Sequence, residues 1–326
     1  MSQKTANLGK AGPALPRVGF GAMTLDGLYG AVEEGAAAGA LRHAAELGMM
    51  IDTADAYGGG ENERRVARAL SGMREDAFIA TKFGIVFDEK EKGAEFPTGW
   101  GFSLNINATP EYMRRALDAS LQRLQTDYVD LYYAHFPSPQ TPIEETVGAM
   151  ADAVRAGKAR HIGLSNVNAE QARRAHAVHP LAAVQYEYSL WRREAEQELL
   201  PALRELGIAL VAWSPLGAGF LAGDVSIGEG DFRGNLPRFG GENLAANRER
   251  FAPLAEIAEQ RGISPAQLAL AWLLHQGGDI FAIPGTRKTA HMDKNAAAAE
   301  IQLDAKTLAQ VDEICRVGAA VGATLL

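Results

Sequence analysis

Four side chains in this sequence are spaced so that they could meet and move a proton. The segment MMIDTADAYGGGENE closes an apolar run with Asp52 and follows it with Tyr57, FIATK ends on Lys82, and DLYYAH ends on His135. A carboxylate closing a hydrophobic strand needs a partner, and Lys82 at the end of a neighbouring strand supplies one. A phenol with a pKa of about 10 is a poor acid near neutrality. A nearby ammonium favours the phenolate, so Lys82 is expected to lower the pKa of Tyr57 and let it protonate a carbonyl oxygen as a hydride reaches the carbon. Asp52 would hold Lys82 charged and oriented, and His135 could hydrogen-bond the substrate oxygen.

Each residue also has a plainer reading. Asp52 with Lys82 could be a structural ion pair, and His135 alone could be a satisfied core histidine. Convergence of all four at one rim favours chemistry. His43, His161, His176, His179, His275 and His291 fall mostly on helical or surface stretches, and only His176 and His179 approach ligand spacing, so no metal is expected. The glycines 58–60, 217, 219 and 223 do not complete GxGxxG, and neither Ser103 nor Ser165 sits in GxSxG. A doubly wound dehydrogenase is the weaker fold reading, and serine hydrolase chemistry has no support.

The elements that must position these residues alternate along the chain. Short apolar runs lie near Arg17–Gly21, Met49–Thr53, Phe78–Lys82, Tyr128–Ala134, His161–Ser165, Ala182–Tyr186, Ile208–Trp213 and Asp279–Ile283. Stretches of helical period separate them, among them Pro110–Gln125, Pro142–Ala156 and Glu194–Leu206. Eight such strand–helix units predict a (β/α)8 TIM barrel, with the site on its C-terminal face. The spacing predicts extra helices over Asn247–Gln260 and Ala305–Cys315. Two long segments, Gly84–Thr109 and Ser214–Ala246, read as irregular loops on the same face.

The chain has 326 residues, 47% of them hydrophobic and 22% charged, which suits one barrel with added loops over 1–326. The net charge of −8 and the lack of long basic runs make nucleic acid a poor partner. Cys315 is the only cysteine, so no intrachain disulfide can form and a cytoplasmic location fits. The N-terminal stretch has no apolar signal region, and nowhere do about 18 apolar residues run together. No membrane partner is expected.

The segment PGTRKTAHMDKN after the last apolar run carries a conflict of its own. Pro284 and Gly285 break the strand, and Thr286 is expected to cap a helix running towards Asn295. That places Arg287 and Lys288 in a first turn whose partial positive charge prefers anions. A phosphate gripped by Arg287 or Lys288 and touched by Thr286 would resolve it, the alternative being two solvated charges.

The motifs DTADAYG with Glu63 soon after, IATK, YVDLYYAH, GLSN over Gly163–Asn166, VQYEYSL and AWSPLGAGFL occur in an order and spacing that resembles the aldo-keto reductase family over nearly the whole chain. The resemblance implies that Asp52, Tyr57, Lys82 and His135 form the catalytic tetrad, with Tyr57 as general acid. It implies that Ser165, Asn166 and Gln185 hydrogen-bond a nicotinamide carboxamide. Trp213, where the family usually has Tyr, would stack on the nicotinamide ring. Ser214, Leu216 and Gly217 would join the cofactor site, Gly285 to Lys288 would hold an adenosine 2′-phosphate, and Asn295 would contact adenine. The basic pair is more often Lys then Arg in that family, and Lys294 stands where an acid is common. The implied activity is reduction of an aldehyde or ketone, a small-molecule carbonyl substrate, with NADPH. Two other readings stay open: a non-catalytic subunit that senses nicotinamide cofactor, which retention of all four residues argues against, and an NAD-dependent alcohol or sugar dehydrogenase.

Overall fold

The computed structural model describes residues 4–223 and 225–326. Eight parallel strands form one sheet: β3 (Phe20–Gly21), β4 (Met50–Asp52), β5 (Phe78–Phe83), β8 (Val129–Ala134), β9 (Ala159–Ser165), β10 (Ala183–Glu187), β11 (Ala209–Trp213) and β12 (Ile280–Ala282). Each pairs in parallel with its neighbour in chain order. The ring closes where Val18 bridges Ala282, Gly19 N donating to Ala282 O at 2.8 Å and Ala282 N to Arg17 O at 2.9 Å. This is the expected (β/α)8 barrel.

Crossovers are made by α1 (Glu34–Glu46), α2 (Glu61–Ala69), α3 (Pro110–Leu124), α4 (Ile143–Arg155), α5 (Ala169–Val178), α6 (Leu199–Leu206) and α9 (Pro265–His275), with α10 (Thr289–Ala297) after the last strand. Their ends obey local chemistry. Thr109 accepts from Tyr112 N at 3.3 Å with Pro110 opening α3, and Gln125 ends it in the left-handed region at φ 53°. Ser264 and Gln267 cap α9 reciprocally. Among the described residues no helix is long and apolar enough to cross a membrane.

Strand periodicity decides what faces inward. Met50, Ala80, Leu131, Tyr133, Ala183, Ala209, Val211 and Phe281 pack together inside the ring, while Ile51, Ile79, Tyr132, Val184 and Leu210 pack outward beneath the helices. Two more residues along each inward row lie Asp52, Lys82, His135, Gln185 and Trp213. Gly163 makes room for this interior, because a Cβ there would meet the Tyr133 ring at 2.5 Å and Ala183 O at 2.6 Å.

Four features depart from the sequence reading. A hairpin of β1 (Thr5–Asn7) and β2 (Ala14–Pro16) brings Leu8 and Leu15 into the interior cluster. The segment Gly84–Thr109 contains a second hairpin, β6 (Ala94–Pro97) with β7 (Ser103–Ile106). The helix expected over Asn247–Gln260 is two, α7 (Gly241–Phe251) and α8 (Pro253–Gln260), because Pro253 restarts the chain; α7 also takes the end of the expected loop Ser214–Ala246. Glu194–Leu206 divides into a short turn of helix, Glu194–Glu196, and α6. The last helix, α11 (Ala305–Ile314), lies where expected.

Candidate active site

Lys82 is wholly buried, and its Nζ donates to Asp52 Oδ1 at 2.5 Å, to Thr53 O at 2.8 Å and to Tyr57 Oη at 3.1 Å. Those are the three donors of an ammonium, each with a partner. Burial works against the charged amine, but the Asp52 carboxylate and the Tyr57 oxygen outweigh it and hold its pKa above the ordinary lysine value. The Thr53 carbonyl is a partner the sequence reading missed, since backbone acceptors leave no mark on residue type.

Tyr57 is brought over Lys82 by an abrupt reversal of the chain. Gly58, Gly59 and Gly60 take φ of 56°, 60° and 89°, and a Cβ at Gly60 would lie 2.6 Å from Arg123 Cδ. The triple glycine therefore turns the chain into α2. There the buried Glu63 accepts from Arg123 Nε at 2.6 Å and from Thr81 Oγ1 at 2.6 Å, tying α2 to α3 and β5.

One electrostatic expectation is corrected. Burial raises the Tyr57 pKa, and although Lys82 pulls it back, the net shift is upward. Lys82 limits the cost of forming phenolate; it does not bring the phenol below its ordinary range. His135, at the end of β8, is driven well below the usual histidine pKa by burial and then by Lys82. Its imidazole is neutral and keeps one N–H to give. Its ring meets that of Tyr57 edge-on at 5.9 Å and stacks on Phe136 at 5.4 Å.

These residues open onto a cavity of about 710 Å³ lined by Asp52, Tyr57, His135, Ser165, Asn166, Gln185, Trp213, Ser214, Leu216, Gly217, Gly285, Thr286, Arg287 and Lys288. Trp100, Phe102 and Phe232 make an aromatic wall, with centroids 6.0–6.4 Å apart. Ser165 Oγ is buried without a hydrogen-bond partner. Asn166 spends its amide within the protein, Nδ2 donating to His135 O at 3.0 Å and Oδ1 accepting from Trp213 Nε1 at 3.1 Å. Gln185 Nε2 donates to Asp52 Oδ2 at 2.7 Å. A Cβ at Gly217 would collide with the Trp191 ring at 2.2 Å, so the turn after β11 can lie flat on that indole.

The segment after β12 departs from the reading. α10 begins at Thr289 with Lys288 as its cap residue, and Thr286 Oγ1 accepts from Lys288 N at 3.2 Å, so Thr286 closes a turn before the helix. Arg287 and Lys288 precede the first turn. The Arg287 guanidinium donates to the carbonyls of Ala31 at 2.7 Å, Gly30 at 3.2 Å and Tyr29 at 3.4 Å. Asn295 is buried on α10, outside the residues that line the cavity. Glu187, two residues beyond Gln185 and also on the lining, was not foreseen. Burial pushes its carboxyl up to about 7 against Arg238 and Arg192, with Glu194 adding to the rise.

Barrel, buried ion pair and cavity define an oxidoreductase of the aldo-keto reductase type, and the family model described as Aldo/keto reductase family matches residues 17–316: the chain belongs to that family. It is 42% identical to Aldo-keto reductase yakc, NADP(+), of Schizosaccharomyces pombe over 99% of this chain and 94% of the yeast protein. Among solved structures it resembles the glycerol dehydrogenase AKR11B4 from Gluconobacter oxydans (TM-score 0.80, 29% identity, 96% and 95% of the two chains). It also resembles an aldo-keto reductase from Klebsiella pneumoniae in complex with NADPH (TM-score 0.75, 28% identity, 100% of both).

Proposed function

We infer that this protein reduces an aldehyde or ketone to its alcohol with NADPH, Tyr57 supplying the proton to the carbonyl oxygen. The observation that carries this reading is the Lys82 ammonium, held by Asp52 and Thr53 and directed at the Tyr57 oxygen at 3.1 Å. A neutral His135 donates its N–H to the carbonyl oxygen and orients it. Tyr57 gives up its proton as negative charge builds there, and Lys82 stabilises the phenolate left behind. The aromatic wall of Trp100, Phe102 and Phe232 excludes water from the reacting carbonyl.

The residues present fit a nicotinamide dinucleotide, which when bound supplies the hydride. The unpartnered Ser165 hydroxyl suits a carboxamide, the carbonyl end of Gln185 is free to join it, and Trp213 offers an aromatic face on the lining. Asn166, committed to His135 and Trp213, serves the cofactor chiefly by fixing that indole. Ser214, Leu216, Gly217 and Gly285 would follow the dinucleotide along the cavity to Thr286, Arg287 and Lys288 at the 2′-phosphate, with Asn295 towards adenine. NADP(+) in the yeast relative's name and NADPH in the Klebsiella complex support this choice over NADH. One folded unit over 1–326 carries the activity, placed in the cytoplasm because the single cysteine suits a reducing compartment.

A panel of aldehydes and ketones followed by NADPH absorbance, with NADH in parallel, tests the reading. Carbonyl-dependent oxidation of NADPH supports it. NADPH that binds without any carbonyl turnover would favour the cofactor-sensing alternative.

A further inference from the structure

Gln185 is 2% exposed on the inward face of β10, and its amide N–H is committed to Asp52 Oδ2 at 2.7 Å. An ionised carboxylate only accepts hydrogen bonds, so the nitrogen end of the amide must point at Asp52 and the carbonyl end elsewhere. The two oxygens of Asp52 are thereby divided, Oδ1 to Lys82 and Oδ2 to Gln185. The other ionisable groups that feel this carboxylate are Tyr57 and Tyr133. Burial and then Asp52 hold the Tyr133 phenol well above the usual tyrosine range, so it carries no charge that compensates Asp52.

We propose that Gln185 is a positioning residue for the proton donor: its amide N–H keeps Asp52 ionised, which keeps the ammonium proton on Lys82 and the cation beside Tyr57. The proposal rests on the reading of Tyr57 as the acid. Without that N–H, a desolvated Asp52 competes for the proton it faces at 2.5 Å. Transfer from Lys82 Nζ to Asp52 Oδ1 leaves a neutral amine and a neutral acid. No charge then remains to stabilise phenolate at Tyr57.

Gln185→Glu separates this role from simple cofactor contact. The new carboxyl donates to Asp52 only while it holds a proton, and a proton shared between two carboxyls is lost at a raised apparent pKa. With NADPH saturating, kcat of Gln185→Glu should be highest at the acid end of its own profile and fall, relative to the wild-type profile, roughly tenfold to a hundredfold as pH rises, the loss expected for a buried hydrogen bond to a charged group. Gln185→Leu should show that loss at every pH. If Gln185 serves only the carboxamide, the ionised Glu still accepts that bond; kcat would then follow the wild-type pH profile, with any defect confined to the NADPH Kd, and the proposal would be overturned. The Glu series compares one folded variant with itself, so a misfolded Leu variant does not decide the matter. Tyr57→Phe run alongside separates the two levels: activity retained there refutes the underlying reading, whereas its loss together with a wild-type profile for Gln185→Glu refutes only the role of Gln185.

Discussion

The Lys82 nitrogen lies 3.1 Å from the Tyr57 oxygen, yet the phenol is a weaker acid than free tyrosine because burial outweighs the cation. Acidity in the resting site is therefore not what the arrangement optimises. Lys82 matters most once negative charge has reached the phenol oxygen, which is the condition during proton transfer.

Lys82→Met follows from this balance. Without the ammonium, burial acts unopposed and the Tyr57 pKa rises further. Reduction requires the protonated phenol, so the alkaline limb of the kcat profile should move to higher pH while kcat falls by roughly tenfold or more, a tenfold change being one pKa unit. An unchanged rate and profile would remove Lys82 from the mechanism.

Arg123→Ala should destabilise the fold. It leaves the wholly buried Glu63 without its cation, and breaking such a pair costs roughly 3–5 kcal/mol. Urea denaturation should show that loss, and Glu63→Gln combined with Arg123→Met should recover part of it. A midpoint equal to wild type for Arg123→Ala would contradict the assignment.

Glu187 gives a pH signature in stability. Its folded-state pKa, about 7, lies above the unfolded value, so the stabilising effect of the held proton is complete below the unfolded pKa and is lost as pH rises through about 7. Glu187→Gln should therefore raise Tm relative to wild type by roughly a few °C above that pH and by less near pH 5. A difference in Tm that does not vary with pH would refute it.

The cofactor end is tested by Lys288→Ala and by Arg287→Ala/Lys288→Ala. Losing charge-assisted contacts to a 2′-phosphate should weaken NADPH binding roughly tenfold to a hundredfold and spare NADH. Arg287 also ties down Tyr29, Gly30 and Ala31, so any loss common to both cofactors measures that tie. Equal wild-type affinity for NADH and NADPH would sink the assignment of the phosphate site.

The sequence exposed the barrel because its strands are short apolar runs set between helices, and it brought Asp52, Lys82 and His135 to one rim because each closes such a run, with Tyr57 in the turn that follows Asp52. The hairpin of Ala94–Pro97 with Ser103–Ile106 was not legible: AEFP and SLNI are only four residues each, and their apolar members pack against Phe136 and Leu325, contacts that local pattern does not encode. The Gln185–Asp52 bond joins residues 133 positions apart, and only closure of the ring sets them together. The direction of the Tyr57 shift needed the depth of burial, which residue types do not give. The ties from Arg287 to the carbonyls of Tyr29, Gly30 and Ala31 were not foreseen, because backbone acceptors are invisible in sequence.

The central claim, that Tyr57 donates the proton, is tested most directly by single-turnover oxidation of NADPH in Tyr57→Phe, with the NADPH Kd measured by tryptophan quenching on the same preparation. The account predicts a rate lower by roughly 10²- to 10⁴-fold or more with Kd nearly unchanged. A Tyr57→Phe variant that keeps more than about half of the wild-type rate would contradict it.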